Sequence, residues 1–266
     1  MKLALAQLDI DAGAVSTNRA RALEAIAAAA DRGADMVALP ELWNVGFFAF
    51  DRYDDLAEPL DGPTFTAISE AAAEHSIGVL AGSIVEDLSK TDADTPAEEG
   101  LANTTAFFDR NGARIATYRK HHLFGYESAE AQLLVPGDSL GVAEFEGFTV
   151  GMTTCYDLRF PELYRRLLDR DVTLVLVPSA WPYPRVEHWK ELPKARAIEN
   201  LFYVATINGA ATFEAATLLG RSTVYDPWGT ELASSGDEPT LVVTDIDPER
   251  VETVREEFPA IEDRRF

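Results

Sequence analysis

Glu41, Lys120 and Cys155 carry the side chains of acid–base and nucleophilic chemistry, and each falls directly after a segment that reads as a β-strand. Ligand sites in α/β proteins gather at such carboxyl ends of strands. Glu41 follows Met36-Val37-Ala38-Leu39-Pro40, Lys120 follows the second strand flanking Asn111-Gly112, and Cys155 follows Val150-Gly151-Met152-Thr153-Thr154. Cys155 also precedes a helical segment, whose N-terminal field favours the reactive thiolate. Its neighbours Thr153, Thr154, Tyr156, Asp157 and Arg159 are polar company for an inert core thiol.

Each of the three has a plainer reading. A free cysteine is often a small buried hydrophobe. A Glu after Pro commonly opens a solvated loop, and Arg119-Lys120-His121-His122 could be a surface basic patch. A metal centre fits less well: His121 and His122, placed on a strand, point apart, and His75 and His188 lie in helical segments without ligand spacing. No Gly-x-Ser-x-Gly elbow marks a serine hydrolase. Residue types and positions alone leave Cys155 a candidate nucleophile and Glu41 and Lys120 without a role.

The elements that would position these residues alternate along the chain. Leu3 to Leu8 reads as a strand, and Ser16 or Thr17 can cap an Ala-rich helix running to about Asp31. Met36 to Leu39 is a buried strand, Gly62-Pro63 opens a helix to about Glu74, and Ile77 to Val85 is the next strand. Residues 86–100 are acidic and turn-rich and read as an exposed loop, and Asn111-Gly112 signals a type I′ hairpin. Phe148 to Thr154 leads into Cys155, a helix follows from about Pro161 to Asp169, and a strand from Thr173 to Val177 ends at a proline. Residues 185–199 read as helix and Phe202 to Ile207 as strand, with a second hairpin turning at Asp226-Pro227-Trp228-Gly229. The periodicity predicts an α/β protein with apolar strands buried on both faces and no linker dividing residues 1–266.

Composition narrows the function classes. Hydrophobic residues are 47% and aromatics 10% of the chain, enough for a sizeable core, and no apolar run is long enough to span a membrane. Met1 to Ile10 lacks the apolar stretch and cleavage pattern of an export signal. One cysteine excludes an internal disulfide and a Cys-cluster zinc site, so a cytoplasmic location is expected. The formal net charge of -22 disfavours nucleic acid and anionic membranes as partners. With only five Lys against eighteen Arg, the acidic excess reads either as an ordinary acidic protein or as adaptation to a high-salt cytoplasm, the reading favoured here.

Several segments together resemble the nitrilase superfamily of carbon–nitrogen hydrolases. Leu39-Pro40-Glu41-Leu42, Tyr118-Arg119-Lys120-His121-His122-Leu123-Phe124 and Cys155-Tyr156-Asp157-Leu158-Arg159-Phe160-Pro161-Glu162 carry the likeness. Ala57 to Thr64, Val135-Pro136-Gly137-Asp138, Ala195 to Asn200 and Asp226 to Gly229 follow in family order. The resemblance implies a four-layer α-β-β-α sandwich, usually a homodimer, and needs no cofactor or metal. It implies Glu41 as general base, Lys120 as oxyanion partner with the Tyr156 N–H, and Cys155 as nucleophile. A second acidic residue of the family, six positions before the Pro-Gly-Asp, falls on Glu130, with Glu127 a near rival.

Ser179-Ala180-Trp181-Pro182, Arg185 to Trp189 and Arg255 to Ala260 look most like the ω-amidase branch. That likeness implies a small-molecule partner, the terminal amide of a dicarboxylate monoamide such as α-ketoglutaramate. Arg159 and Arg185 are candidates for its carboxylate and Trp181 for a pocket wall, each equally explicable by packing. N-carbamoyl-amine hydrolysis and deaminated-glutathione amidase activity share the chemistry, as does acyl transfer to an amine. Nitrile hydrolysis fits the short chain less well. A non-catalytic interaction module on the same scaffold would not need the three motifs intact.

Overall fold

In the computed structural model, which describes residues 1–126 and 128–265, the alternating pattern becomes two sheets packed face to face. Strands β1 (Lys2–Gln7), β2 (Met36–Ala38), β3 (Gly78–Asp87), β4 (Leu101–Phe108) and β5 (Arg114–Arg119) belong to the first sheet. Strands β6 (Gly141–Phe145), β7 (Phe148–Met152), β8 (Leu174–Ser179), β9 (Tyr203–Asn208), β10 (Thr223–Tyr225) and β11 (Glu231–Ser234) form the second. Strand β12 (Thr240–Asp245) returns to pair with β1. Among the described residues the orders are β12-β1-β2-β3-β4-β5 and β11-β10-β9-β8-β7-β6. The two sheets share a plan: β1-β2-β3 and β7-β8-β9 are parallel, and antiparallel strands flank both sets.

The period-two placement of side chains on a strand explains the layers. Leu3 and Leu5 join Met36, Ala38, Phe107, Leu174, Leu176 and Ala205 in one core between the sheets. Their neighbours Ala4, Ala6, Val37 and Leu39 point the other way, to helices α1 (Val15–Asp31) and, beyond the short α2 (Tyr53–Leu56), α3 (Pro63–His75). After the short α4 (Glu130–Leu133), helices α5 (Pro161–Leu168) and α6 (Val186–Asn200) cover Val175, Val177 and Val204 on the second sheet. Helix α7 (Pro248–Glu257) tucks Val251 into the core between the sheets. The strands are apolar on both faces because both faces are covered. The result is the four-layer α-β-β-α sandwich.

Four local expectations change. Ser16 and Thr17 lie inside α1; Ala14 is its cap residue and makes no side-chain cap, while Asn18 bonds the Asp11 and Asn44 backbone instead. The β4–β5 connection is not type I′, since only Gly112 has positive φ (77°); Asp109 closes it by accepting from the Asn111 and Ala113 N–H groups. Pro178 lies within β8 rather than ending it, because β7 stops pairing at Leu176 and leaves Pro178 beside β9 alone. The 86–100 segment is not uniformly exposed. Its first residue, Glu86, is fully buried and accepts from Arg119 Nε at 2.7 Å and Nη2 at 2.8 Å. Arg119 is thereby removed from any surface patch, and the strand end that carries Lys120 is anchored from behind.

Removing one partner of a buried ion pair strands the other charge, a loss of roughly 3–5 kcal/mol. Glu86→Ala should lower unfolding stability by about that amount in urea titration. Replacing Glu86 and Arg119 together with Leu and Met should restore most of it.

Candidate active site

At one end of the layer between the sheets the core turns polar. Phe107, Thr105 and Asn103 lie on one face of β4, and Tyr118 on β5 precedes Lys120. The Lys120 N–H donates to the Asn103 carbonyl at 2.9 Å, so the two residues are cross-strand neighbours. Lys120 points inward and is completely buried with Glu41 and Glu130. Its Nζ donates to Glu41 Oε1 at 2.8 Å and to Glu130 Oε1 and Oε2 at 2.8 and 3.0 Å. The Phe47 ring lies 5.4 Å from the same ammonium.

Glu41 is set by a sharp turn after β2. Leu42 has φ of 44°, and its N–H donates to Ser83 Oγ at 2.9 Å. The bulge in β3 between Leu80 and Ser83 lets the turn come close, with Trp43 Nε1 donating to the Ala81 carbonyl at 2.7 Å. Gly82 is required there: φ is +61°, and a Cβ would stand 2.0 Å from the Pro40 carbonyl oxygen. The Glu41 N–H reaches the Ser179 carbonyl and the Ala180 N–H donates to Glu41 Oε2 at 2.9 Å, tying the first sheet to the end of β8.

Cys155 faces this carboxylate from the second sheet, again in a left-handed backbone conformation (φ 46°). It opens a 3₁₀ turn, Cys155–Arg159. Asp157, buried in the turn, accepts from Thr154 N–H (2.9 Å), Tyr118 Oη (2.6 Å) and His122 N–H (3.0 Å), and its Oδ1 lies 2.7 Å from His122 Nδ1. One carboxylate thus clamps the segment bearing Lys120 to the turn bearing Cys155. His121 and His122 follow β5 rather than lying on it. His122 is engaged by Asp157 and stacks on Phe160 at 3.8 Å, which gives it a packing role in place of metal ligation.

Electrostatics separates the three groups. Burial alone would lower the Lys120 pKa, but Glu130 and Glu41 outweigh it and hold the ammonium charged well above the usual amine range. Burial raises Glu41 more than Lys120 lowers it, and Glu130 adds to the rise. Burial and the Glu41 charge push the Cys155 thiol well above its ordinary value. The expectation of a thiolate favoured by a helix N-terminus is therefore corrected. Cys155 begins a 3₁₀ turn, α5 starts only at Pro161, and desolvation dominates.

The thiol opens into a cavity of about 280 Å³ lined also by Lys120, Tyr156, Trp181, Phe124, Arg159 and Arg185. Tyr156, expected to offer its N–H, and Trp181, expected as a wall, both line this cavity. Arg159 is sandwiched between their rings, 5.6 and 5.1 Å from the centroids, and Nη2 lies 3.0 Å from His188 Nδ1. Arg185 stacks over Phe124 at 5.6 Å.

Glu130 joins the cluster, and its Oε2 also accepts from the Phe124 N–H at 2.7 Å. With two donors on each oxygen, it is occupied with Lys120 and the backbone rather than with a substrate amide. Glu127 lies outside the described residues. Sequence reasoning missed Asn103, whose Nδ2 donates to Glu41 Oε1 at 2.8 Å and Glu130 Oε1 at 3.2 Å. The only available signal was a lone amide in an otherwise buried strand, opposite Lys120 across a hairpin.

The arrangement offers a thiol, an adjacent carboxylate acceptor and a fixed ammonium at the base of a small pocket. A family model described as carbon–nitrogen hydrolase matches residues 2–256. The chain is 35% identical over 236 residues to the 2-oxoglutaramate amidase of Paenarthrobacter nicotinovorans, covering 87% of this chain and 79% of that protein. It is 36% identical over 272 residues to Omega-amidase NIT2 of Homo sapiens, covering 99% and 95%. Saccharomyces cerevisiae Nit3, a member of branch 10 of the nitrilase superfamily, superposes with a TM-score of 0.89 at 28% identity, covering 100% of this chain and 97% of that one.

A thiol held above its ordinary pKa is neutral at rest. Alkylation of Cys155 by a neutral reagent without substrate should be slow at pH 7 and keep rising through pH 9, followed by mass spectrometry. A rate already at its plateau near pH 7 would contradict the electrostatics described.

Proposed function

The chain belongs to the carbon–nitrogen hydrolase family, and on that premise we propose that it releases ammonia from the terminal amide of a small dicarboxylate monoamide. It is a hydrolase of non-peptide carbon–nitrogen bonds, and residues 1–266 are read as one domain of this kind. The observation carrying the substrate class is the charge of the pocket. In a chain of net charge -22 the cavity holds Arg159 and Arg185 beside the thiol, and no acidic side chain among its described lining residues. A cationic, aromatic-walled pocket of this size suits a short carboxylate-bearing amide. Relatives named for 2-oxoglutaramate and ω-amide hydrolysis support the same class.

The reading assigns each group a step. Glu41 takes the thiol proton as Cys155 Sγ attacks the amide carbon, and the carbonyl electrons move to oxygen. Lys120 and the Tyr156 N–H, which as an early N–H of its turn has no acceptor within it, receive that oxyanion. Collapse expels the amine, to which Glu41 returns the proton, leaving a thioester and ammonia. Water then attacks the thioester carbonyl with Glu41 again as base, which frees the carboxylic acid and restores the thiol. Glu130 keeps Lys120 charged throughout, and Tyr156 and Trp181 flank the acyl chain.

We read the protein as a cytoplasmic homodimer adapted to high salt. A catalytic thiol stays reduced in the cytoplasm. Ile198, Trp228 and Phe258 are 46%, 39% and 51% exposed, and the Trp228 and Phe258 rings lie 5.8 Å apart, an apolar patch suited to a second copy.

The central test is ammonia release from 2-oxoglutaramate against a neutral amide of equal length. The carboxylate-bearing amide should win by at least tenfold in kcat/KM, and Cys155→Ala should abolish turnover of both. Arg159→Met should raise KM for the anionic substrate roughly 10–100-fold and leave the neutral amide nearly unchanged. Equal use of both amides by the native enzyme would refute the substrate class. The melting temperature should rise from low to molar potassium chloride, with light scattering giving a dimer mass; a flat melting series or a monomer would discard the corresponding part.

A further inference from the structure

Lys120 has three N–H groups, and two of them are committed to carboxylates. One points at Glu41 Oε1 and one is shared between Glu130 Oε1 and Oε2, all within 2.8–3.0 Å. The third is left for an oxyanion, and its direction is set by where the two carboxylates hold the other two. In a fully buried cluster those carboxylates repel each other and need further donors to keep that arrangement.

Asn103 is placed to supply them. Its Nδ2 donates to Glu41 Oε1 at 2.8 Å and to Glu130 Oε1 at 3.2 Å, one atom on each carboxylate and each already shared with Lys120. The amide orientation is dictated by chemistry, because the reverse would aim Oδ1 at two carboxylate oxygens. Oδ1 is buried with no partner.

We propose that Asn103 is a positioning residue of the reaction, holding the Glu41 and Glu130 carboxylates so that the third Lys120 N–H stays aimed at the oxyanion. On the Glu41 side this leaves a defined vacancy. Oε1 is held by Lys120 and Asn103 and Oε2 by the Ala180 N–H, so three of about four acceptor directions are filled. The remaining one is open to the Cys155 thiol, which lies within hydrogen-bond reach of this carboxylate. Without Asn103 only Lys120 holds Oε1, and the carboxylate can turn about its Ala180 contact. The proposal rests on Glu41 acting as the base and Lys120 as the oxyanion donor.

The role predicts a loss in kcat rather than in KM, since the oxyanion that the Lys120 N–H must meet develops only in the transition state. Asn103→Ala should lower kcat roughly 10–100-fold with KM within about twofold. Asn103→Asp keeps the shape and removes the two donors, so it should lose at least as much. Asn103→Ser, retaining one short hydroxyl donor, should fall between wild type and Asn103→Asp, and serves if the alanine variant does not fold. Calorimetry establishes folding for each. Wild-type kcat in Asn103→Asp, or a loss confined to KM, overturns the proposal. Glu41→Gln is the separating control. If it abolishes turnover while the folded Asn103 variants keep wild-type kcat, only the Asn103 role fails; if it keeps wild-type turnover, the Glu41 reading itself is wrong.

Discussion

An ammonium with no exposure to water must be neutralised where it stands, and much of this structure follows from that requirement. Stranding a charge in a protein interior costs several kcal/mol, and only close partners with further hydrogen bonds offset it. Lys120 has two carboxylates within 3.0 Å. Two carboxylates against one ammonium leave the cluster anionic, so neutral donors gather round it: Asn103, the Ala180 N–H and the Phe124 N–H. The cluster is therefore one object. Its charge state sets the thiol, because the Glu41 carboxylate that can accept the Cys155 proton also discourages the thiolate from standing alone. A thiol kept neutral until an acceptor carbon is in place is protected from the oxidation and alkylation that threaten a resting thiolate.

Two left-handed residues complete the geometry. Leu42 and Cys155 both have positive φ although neither is glycine, and both lie at the reactive end of a strand. Such conformations cost of order 1–3 kcal/mol and persist only when surroundings over-determine them. Here the surroundings are identifiable. Gly82 and Ser83 hold the first turn, and the Asp157 carboxylate holds the second through four contacts.

Layering was largely legible in the amino-acid sequence because it depends on local rules. Leu3 and Leu5 against Ala4 and Ala6 announce two covered faces, and β1, β2, β3, β7, β8 and β9 lie within a few residues of where the apolar runs place them. What misled was local chemistry decided by distant partners. Asn111-Gly112 reads as a two-residue turn, yet Asp109 takes over the loop's N–H groups. Glu86 begins an acidic stretch, yet Arg119 from another strand buries it. The reactive trio was visible as strand-end residues, but its unity came from family likeness and not from spacing. Asn103 carried no pattern at all, since a single amide gains meaning only when Glu41, 62 positions earlier, and Glu130, 27 positions later, converge on it.

That convergence crosses the sandwich. Glu41, Asn103 and Lys120 project from the first sheet, while Cys155 and Ala180 come from the second. Competence is thus a property of the seam between the sheets and belongs to neither half. A partial opening that left each sheet intact, of the kind by which proteins breathe below their global stability, would already separate base from nucleophile. Catalytic turnover in this molecule is in effect a gauge of inter-sheet registry, sensitive to slippage that helical content or strand hydrogen bonding would not register.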